Sequence, residues 1–247
     1  AIACTNLYIS FGAKIENIIM TDSKGVINQS RTDLSNEKKF FITKRKINSL
    51  EEAMVNSDVF IGLSMANILT EKMLASMSKD PIVFAMANPD PEINYDIAMS
   101  VRDDIIFATG RSDLPNQVNN VLGFPFIFRG ALDVRATKIN EEMKKAAVVA
   151  LAELAKKPVP EQVNIAYDET KLLFGKDYII PKPFDPRLIS EIPPAVARAA
   201  MESGVAQEPI TDWDKYTQIL EERLGNNQKL IRIIHRRARK AKNKKLV

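Results

Sequence analysis

The sequence predicts an α/β fold: a doubly wound, mostly parallel sheet followed by C-terminal helices. Three observations predict it. Four short apolar runs are continuous rather than alternating, as in strands buried on both faces. Helix-like stretches lie between them, as crossover connections of a parallel sheet require. From Asn119 onward the strand pattern stops and long helical periodicity takes over.

The chain opens on "AIACTNLYISFGAK", a helical pattern with Ala1, Ile2, Leu7 and Phe11 apolar and Gly12 as its stop. The first apolar run, Ile18 to Met20, closes at Asp22 and the turn "DSKG". The second, third and fourth are Val59 to Ile61, Ile82 to Ala87 and Ile105 to Thr109. Helices are expected over 50–56, 70–79 and 96–101, with Thr70 as an N-cap. "KKFFITKRK" reads equally as a strand or a surface helix. Asn119–Ala136 and Ile139–Lys157 read as long helices, and "KKPVPEQ" interrupts them. A proline-rich stretch, "DYIIPKPFDPRLISEIPPAVARAAMESG", holds one more helix ending at Gly204, and "TDWDKYTQILEERLG" is an amphipathic helix.

Composition narrows the class. Apolar content of 45% and charged content of 27% are those of an ordinary globular protein. A single cysteine, Cys4, excludes an internal disulfide framework and a cysteine-rich zinc site, in keeping with a cytoplasmic setting. No apolar run nears the ~20 residues that span a bilayer, and no signal-peptide pattern opens the chain. The net charge of +4 conceals an asymmetry: residues 226–247 carry nine Lys or Arg and no acid, so the other 225 residues carry 26 positive and 31 negative side chains. No aromatic residue interleaves the basic tail for base stacking, which argues against nucleic acid as a partner.

In open α/β sheets, ligands bind beyond the carboxyl ends of the strands. Four polar features are expected there. Asp22 either bonds a ribose hydroxyl of a dinucleotide or belongs to an ordinary strand-end turn. Gly62 and Ser64 either let a ligand approach the backbone or form a simple loop. Asn88, before Pro89, offers a carboxamide that donates and accepts together, or is plain turn chemistry. The fourth is "GRSDLPNQVNN", with four carboxamides (Asn116, Gln117, Asn119, Asn120) within five positions. Such amides are costly to bury unbonded. At a helix start they suit a carboxylate or phosphate, or else they cap helices and tie loops. No G-x-G-x-x-G turn is present, and the only histidine, His235, lies in the basic tail, so no histidine-based triad can be assembled in the body.

"DSKG", "FIGLS", "FAMANPDPEI", "TGRSDLPNQVNNVLGFPFIFRGALDVRATKINEEMK" and "YIIPKPFDPRLISEIPPAVARAAMESGVA" closely resemble the bacterial malic enzymes, over residues 1 to about 224. The likeness is to the long form, and the basic tail resembles the opening helix of its phosphotransacetylase-like region. The resemblance implies a Rossmann-like domain over 1–150, a helical extension over 151–225 and the start of a further region over 226–247. It implies oxidative decarboxylation of malate to pyruvate and carbon dioxide with reduction of NADP, or of NAD as the alternative, assisted by Mg2+ or Mn2+, in a cytoplasmic homo-oligomer. By motif, Asn88 would contact cofactor and substrate, Asn119 and Asn120 would bind malate, and Asp22, Ser64 and Gly62 would lie at the cofactor. Lys24 and Arg31 are candidates for a 2′-phosphate. The family's general-base lysine, its proton-donating tyrosine, its metal ligands, its first strand and its Gly-rich turn have no counterpart here. No catalytic or metal-ligating residue is therefore expected in this chain. The chain alone is expected to be inactive, with neighbouring strand edges exposed. Two other readings stand beside this one. The first is a non-catalytic remnant serving as an assembly module. The second is a shikimate- or amino-acid-dehydrogenase relative, against which the Gly110–Met143 block argues.

Overall fold

The computed structural model describes residues 1–169 and 171–225. The described residues fall into two units: residues 1–118 with 175–177, and residues 119–174 with 178–225. The basic tail at 226–247 lies outside the described residues.

In the first unit, α1 (Ile2–Ser10) is followed by Gly12 at φ +102°, a left-handed conformation that ends the helix. The run Ile18–Met20 does not enter the parallel sheet. The local strand is β1 (Thr21–Asp22), which pairs antiparallel with β2 (Gly25–Val26). The turn sequence explains this correction. The Asp22 carboxylate accepts the Lys24 N–H at 3.0 Å and Gly25 takes φ +102°, so the chain folds straight back. The apolar residues still find a core, since Met20, Ile27, Leu34 and Phe41 pack together. "KKFFITKRK" forms neither a full helix nor a strand: α2 (Asn36–Lys39) ends within its first two residues, and Thr43 makes an isolated parallel bridge to Asn28.

The sheet follows. α3 (Leu50–Met54) starts in a capping box between Ser49 and Glu52. β3 (Val59–Gly62), α4 (Glu71–Ala75), β4 (Ile82–Ala85), α5 (Tyr95–Val101) and β5 (Ile106–Thr109) then alternate as expected. The three strands are parallel in the order β3-β4-β5, with Gly62, Ala85 and Thr109 aligned at their carboxyl ends. Thr70 caps α4 by accepting the Met73 N–H. α4 stops short of residue 79 because the Ser76 carbonyl and Ser78 N–H bond Asn56 and Ser57 instead. Phe60, Leu74, Val83, Ala98 and Phe107 form the core between strands and helices. β3 is an outer strand, with Val59 49% exposed. Beside it lies a cavity of about 890 Å³ lined by Tyr8, Phe11, Ile18, Val59, Ile61 and Phe84.

The second unit is helical. The stretch expected as one helix from Asn119 is split into a 3-10 turn, Asn120–Leu122, and α6 (Phe124–Asp133). Proline has no N–H, so Pro125 belongs in a first turn and fixes the start of α6 there. α7 (Glu141–Lys156) runs unbroken through residue 150 from its Asn140 cap. α8 (Glu161–Ala166) and α9 (Leu188–Glu202) follow, and residues 213–225 are helical. Val134, Met143, Leu154, Ile192 and Val196 make the core of this unit. α6 and α9 approach closely at Gly130, where an added Cβ would stand 2.5 Å from the Pro193 carbonyl oxygen. The Tyr216 hydroxyl donates to Asp133 at 2.7 Å, which ties the 213–225 helix to α6; burial pushes this phenol up to about 12. Among the described residues, no helix is long and apolar enough to cross a membrane.

Candidate functional site

The carboxyl ends of β3, β4 and β5 present three turns. The β3 turn carries Gly62 and Ser64, the β4 turn Asn88, and the β5 turn leads from Thr109 to Gln117. Ser64 and Asn88 are both exposed, and the Asn88–Pro89 bond is cis. Among the described residues no hydrogen bond engages the Asn88 carboxamide, so its donor and acceptor both face solvent. The space beside Gly62 is filled by the protein itself. A Cβ there would lie 2.3 Å from the carboxyl carbon of Glu92, a fully buried acid.

Sequence reasoning missed Glu92, because "NPDPE" reads as a polar turn. A usable signal was Glu92 immediately before the apolar Ile93, two residues after an Asn-Pro-Asp turn, in reach of a strand that ends on glycine.

The four amides of the 116–120 stretch have different tasks. Asn116 is buried at φ +51° and donates to the Phe107 carbonyl at 2.9 Å and the Lys176 carbonyl at 2.6 Å. It therefore ties the end of β5 to residues 175–177. Gln117 is also buried, forms an isolated parallel bridge with Thr109, and is followed by Val118, whose N–H bonds the Thr109 carbonyl at 2.8 Å. In the second unit, the Asn119 side-chain oxygen caps the Val121 N–H at 3.0 Å, and Asn120 is exposed. The loop-tying alternative thus describes the Asn116 carboxamide, whereas Gln117 is held through its backbone pairing with Thr109. Asn119 keeps its amide nitrogen, and Asn120 its whole carboxamide, clear of any hydrogen bond among the described residues.

Asp22 is heavily engaged. Its carboxylate accepts from Arg31 at 3.1 and 3.3 Å, from the Lys38 ammonium at 2.5 Å and from the Lys24 N–H. Arg31 also grips Asp33 through Nε at 2.6 Å, and Lys24 reaches Asp33 at 2.7 Å. Lys24, Arg31 and Lys38 thus meet two carboxylates, leaving one net positive charge in the cluster. Hydrogen bonds from Arg31, then from Lys38, hold the Asp22 carboxyl well below the ordinary carboxylate range. A depressed folded-state pKa contributes stability above the unfolded value of roughly 3.9, and that contribution is lost as pH falls below it. Asp22→Asn is therefore expected to lower the melting temperature at pH 7 and to do so less at pH 3. An equal gap at both values would show that the carboxylate charge is not what stabilises this turn.

The comparisons bear on these residues. Residues 9–169 match the family model described as the malic enzyme NAD-binding domain. The chain is 55% identical over 209 residues to the NADP-dependent malic enzyme of Halomonas elongata, covering 85% of this chain and 50% of that protein. It is 52% identical over 246 residues to the NADP-dependent malic enzyme of Haemophilus influenzae, covering 99% of this chain and 32% of that protein. The crystal structure of Entamoeba histolytica malic enzyme superposes with a TM-score of 0.81 at 33% identity, over 95% of this chain and 47% of that one. The chain therefore spans between a third and half of the length of these relatives.

Proposed function

The chain belongs to the malic enzyme family through its NAD-binding domain, and from that premise we propose that it serves the oxidative decarboxylation of malate to pyruvate and carbon dioxide with reduction of NADP. The observation that carries the reading is the unengaged Asn88 carboxamide at the carboxyl end of a buried parallel strand, within the segment matched by the family model. A carboxamide that both donates and accepts fits the amide of a nicotinamide and the hydroxyl of a hydroxy acid. Ser64 and the β3 turn at Gly62 would line the same dinucleotide. NADP, when bound, supplies the hydride acceptor.

On the second unit, the free amide of Asn119 and the exposed amide of Asn120 are neutral donors suited to a malate carboxylate. The work assigned to these side chains is binding and orientation, which is a large part of what hydride transfer needs from a protein. Asp22 contributes by organising Arg31, Lys38 and Lys24, whose surplus positive charge favours a 2′-phosphate and hence NADP over NAD. Among the described residues no three or more His, Cys, Asp or Glu side chains gather as a metal site. These residues do not fit a divalent cation, and no step here is routed through Mg2+ or Mn2+. We assign residues 1–150 to the dinucleotide domain, 151–225 to its helical extension and 226–247 to the start of a further region, in a cytoplasmic assembly of like chains.

The test is a chimera in which this chain replaces the matching segment of the Haemophilus influenzae enzyme. Malate-dependent reduction of NADP is the expected result. A folded, assembled chimera without that activity would overturn the reading and favour a module that only supports assembly.

A further inference from the structure

We propose that Glu92 is a positioning residue for the dinucleotide site: its carboxylate bridges the turns after β3 and β4 and fixes how Ser64 and Asn88 are presented. The proposal rests on the cofactor reading given above. The Glu92 side chain is completely buried. One carboxylate oxygen accepts the Ser64 N–H at 3.1 Å, and the other accepts the Ala87 N–H at 2.9 Å. Ala87 immediately precedes Asn88. The same segment holds the β3 loop a second way, because the Glu92 carbonyl accepts the Leu69 N–H at 3.0 Å and the Pro91 carbonyl accepts the Asn67 N–H at 3.1 Å.

A buried acid is expensive, and a similar-sized apolar residue here would strand two backbone donors. A carboxylate suits the task because both of its oxygens accept and neither donates. A carboxamide would turn an NH₂ toward one of the two N–H groups. Glycine at position 62 is explained by the same contact, since a Cβ there would stand 2.3 to 2.6 Å from the carboxyl atoms. Acid and glycine therefore form one device: the strand end is kept bare so that the carboxylate can reach across to both turns. Beyond the last ladder bonds, these turns have few regular partners. The Met86 N–H meets the Gly62 carbonyl only at 3.3 Å. The two backbone bonds anchor the β3 loop at Asn67 and Leu69, and the carboxylate bridge fixes it nearer the strand ends, at Ser64 and Ala87, where the groups that would meet a dinucleotide are placed.

The bridge is tested first in the unmodified chain, by amide hydrogen exchange. Ser64 and Ala87 should exchange at least about ten-fold more slowly than unprotected amides, the size expected of hydrogen bonds to a charged acceptor. Ser64 is otherwise exposed, so unprotected exchange at both positions would overturn the proposal whatever the variants do. The functional arm uses the chimera. Glu92→Gln should raise the KM for NADP about ten-fold while kcat changes less than three-fold, matching the loss of one such bond. Gly62→Ala, which pushes the carboxylate aside, should reproduce that split with Glu92 in place. A purely structural role would lower the melting temperature and leave the KM for NADP within two-fold, and that outcome would also overturn the proposal. An inactive unmodified chimera would remove the cofactor reading, and the exchange measurement would still decide the bridge.

Discussion

Asn119→Asp, made in the chimera, is expected to lower kcat/KM for malate by about 100-fold or more, the scale of losing a group that orients a reactant, while stability stays within about 1 kcal/mol of the parent. The substitution separates two tasks that alanine would merge. The Asn119 oxygen caps the Val121 N–H at 3.0 Å. Aspartate caps as well as asparagine does, so the 3-10 turn survives. What changes is the other end of the side chain, where a neutral donor becomes a negatively charged acceptor. A site for a dicarboxylate tolerates that badly, since like charges repel and the donor is gone. Steady-state kinetics with malate varied, beside thermal melting, make the measurement. If the aspartate variant keeps full activity while Asn119→Ala loses it, Asn119 is a cap and the malate assignment fails.

Gly130→Val is expected to destabilise the second unit by about 3 kcal/mol, the upper part of the usual overpacking range. The helix-propensity argument alone points the other way, because replacing a helical glycine gains up to about 1 kcal/mol. Geometry decides between them. A Cβ at position 130 would lie 2.5 Å from the Pro193 carbonyl oxygen and 2.8 Å from the Val196 Cβ. Both belong to α9, and a helix carbonyl cannot swing aside as a flexible side chain can. Relief would require α6 and α9 to part, opening the core around Val134, Ile192 and Val196. Denaturant unfolding gives the value, and an unchanged midpoint would show that the helices separate at little cost.

The parallel sheet was legible because three of the four apolar runs are short and continuous, end at turns and are separated by helical stretches. Val59–Gly62, Ile82–Ala85 and Ile106–Thr109 each fall where the sequence puts them. The fourth, Ile18–Met20, shows what a run of three apolar residues cannot convey. The same pattern serves a hairpin, and here the turn after Asp22 decided the outcome. Helix caps at Thr70 and Asn140 follow from local chemistry, which is why they were or could have been read locally. The amide cluster was visible as a cluster but not as separate parts. Distinguishing Asn116 from Asn119 requires knowing that the Lys176 carbonyl, sixty residues away, comes back to one of them. Glu92 was hidden for the same reason, since its meaning lies in Gly62 and Ser64, about thirty residues earlier.

That returning carbonyl governs how the first unit can assemble. Residues 175–177 belong with residues 1–118, so everything from 119 to 174 is an insertion whose ends must meet. Closing a flexible loop of that length costs roughly 3–4 kcal/mol of chain entropy. The inserted helices α6 and α7 pack on α9, which lies beyond residue 177, so the insertion gains its core, and sheds that cost, only once the chain has already passed through the strand-end piece.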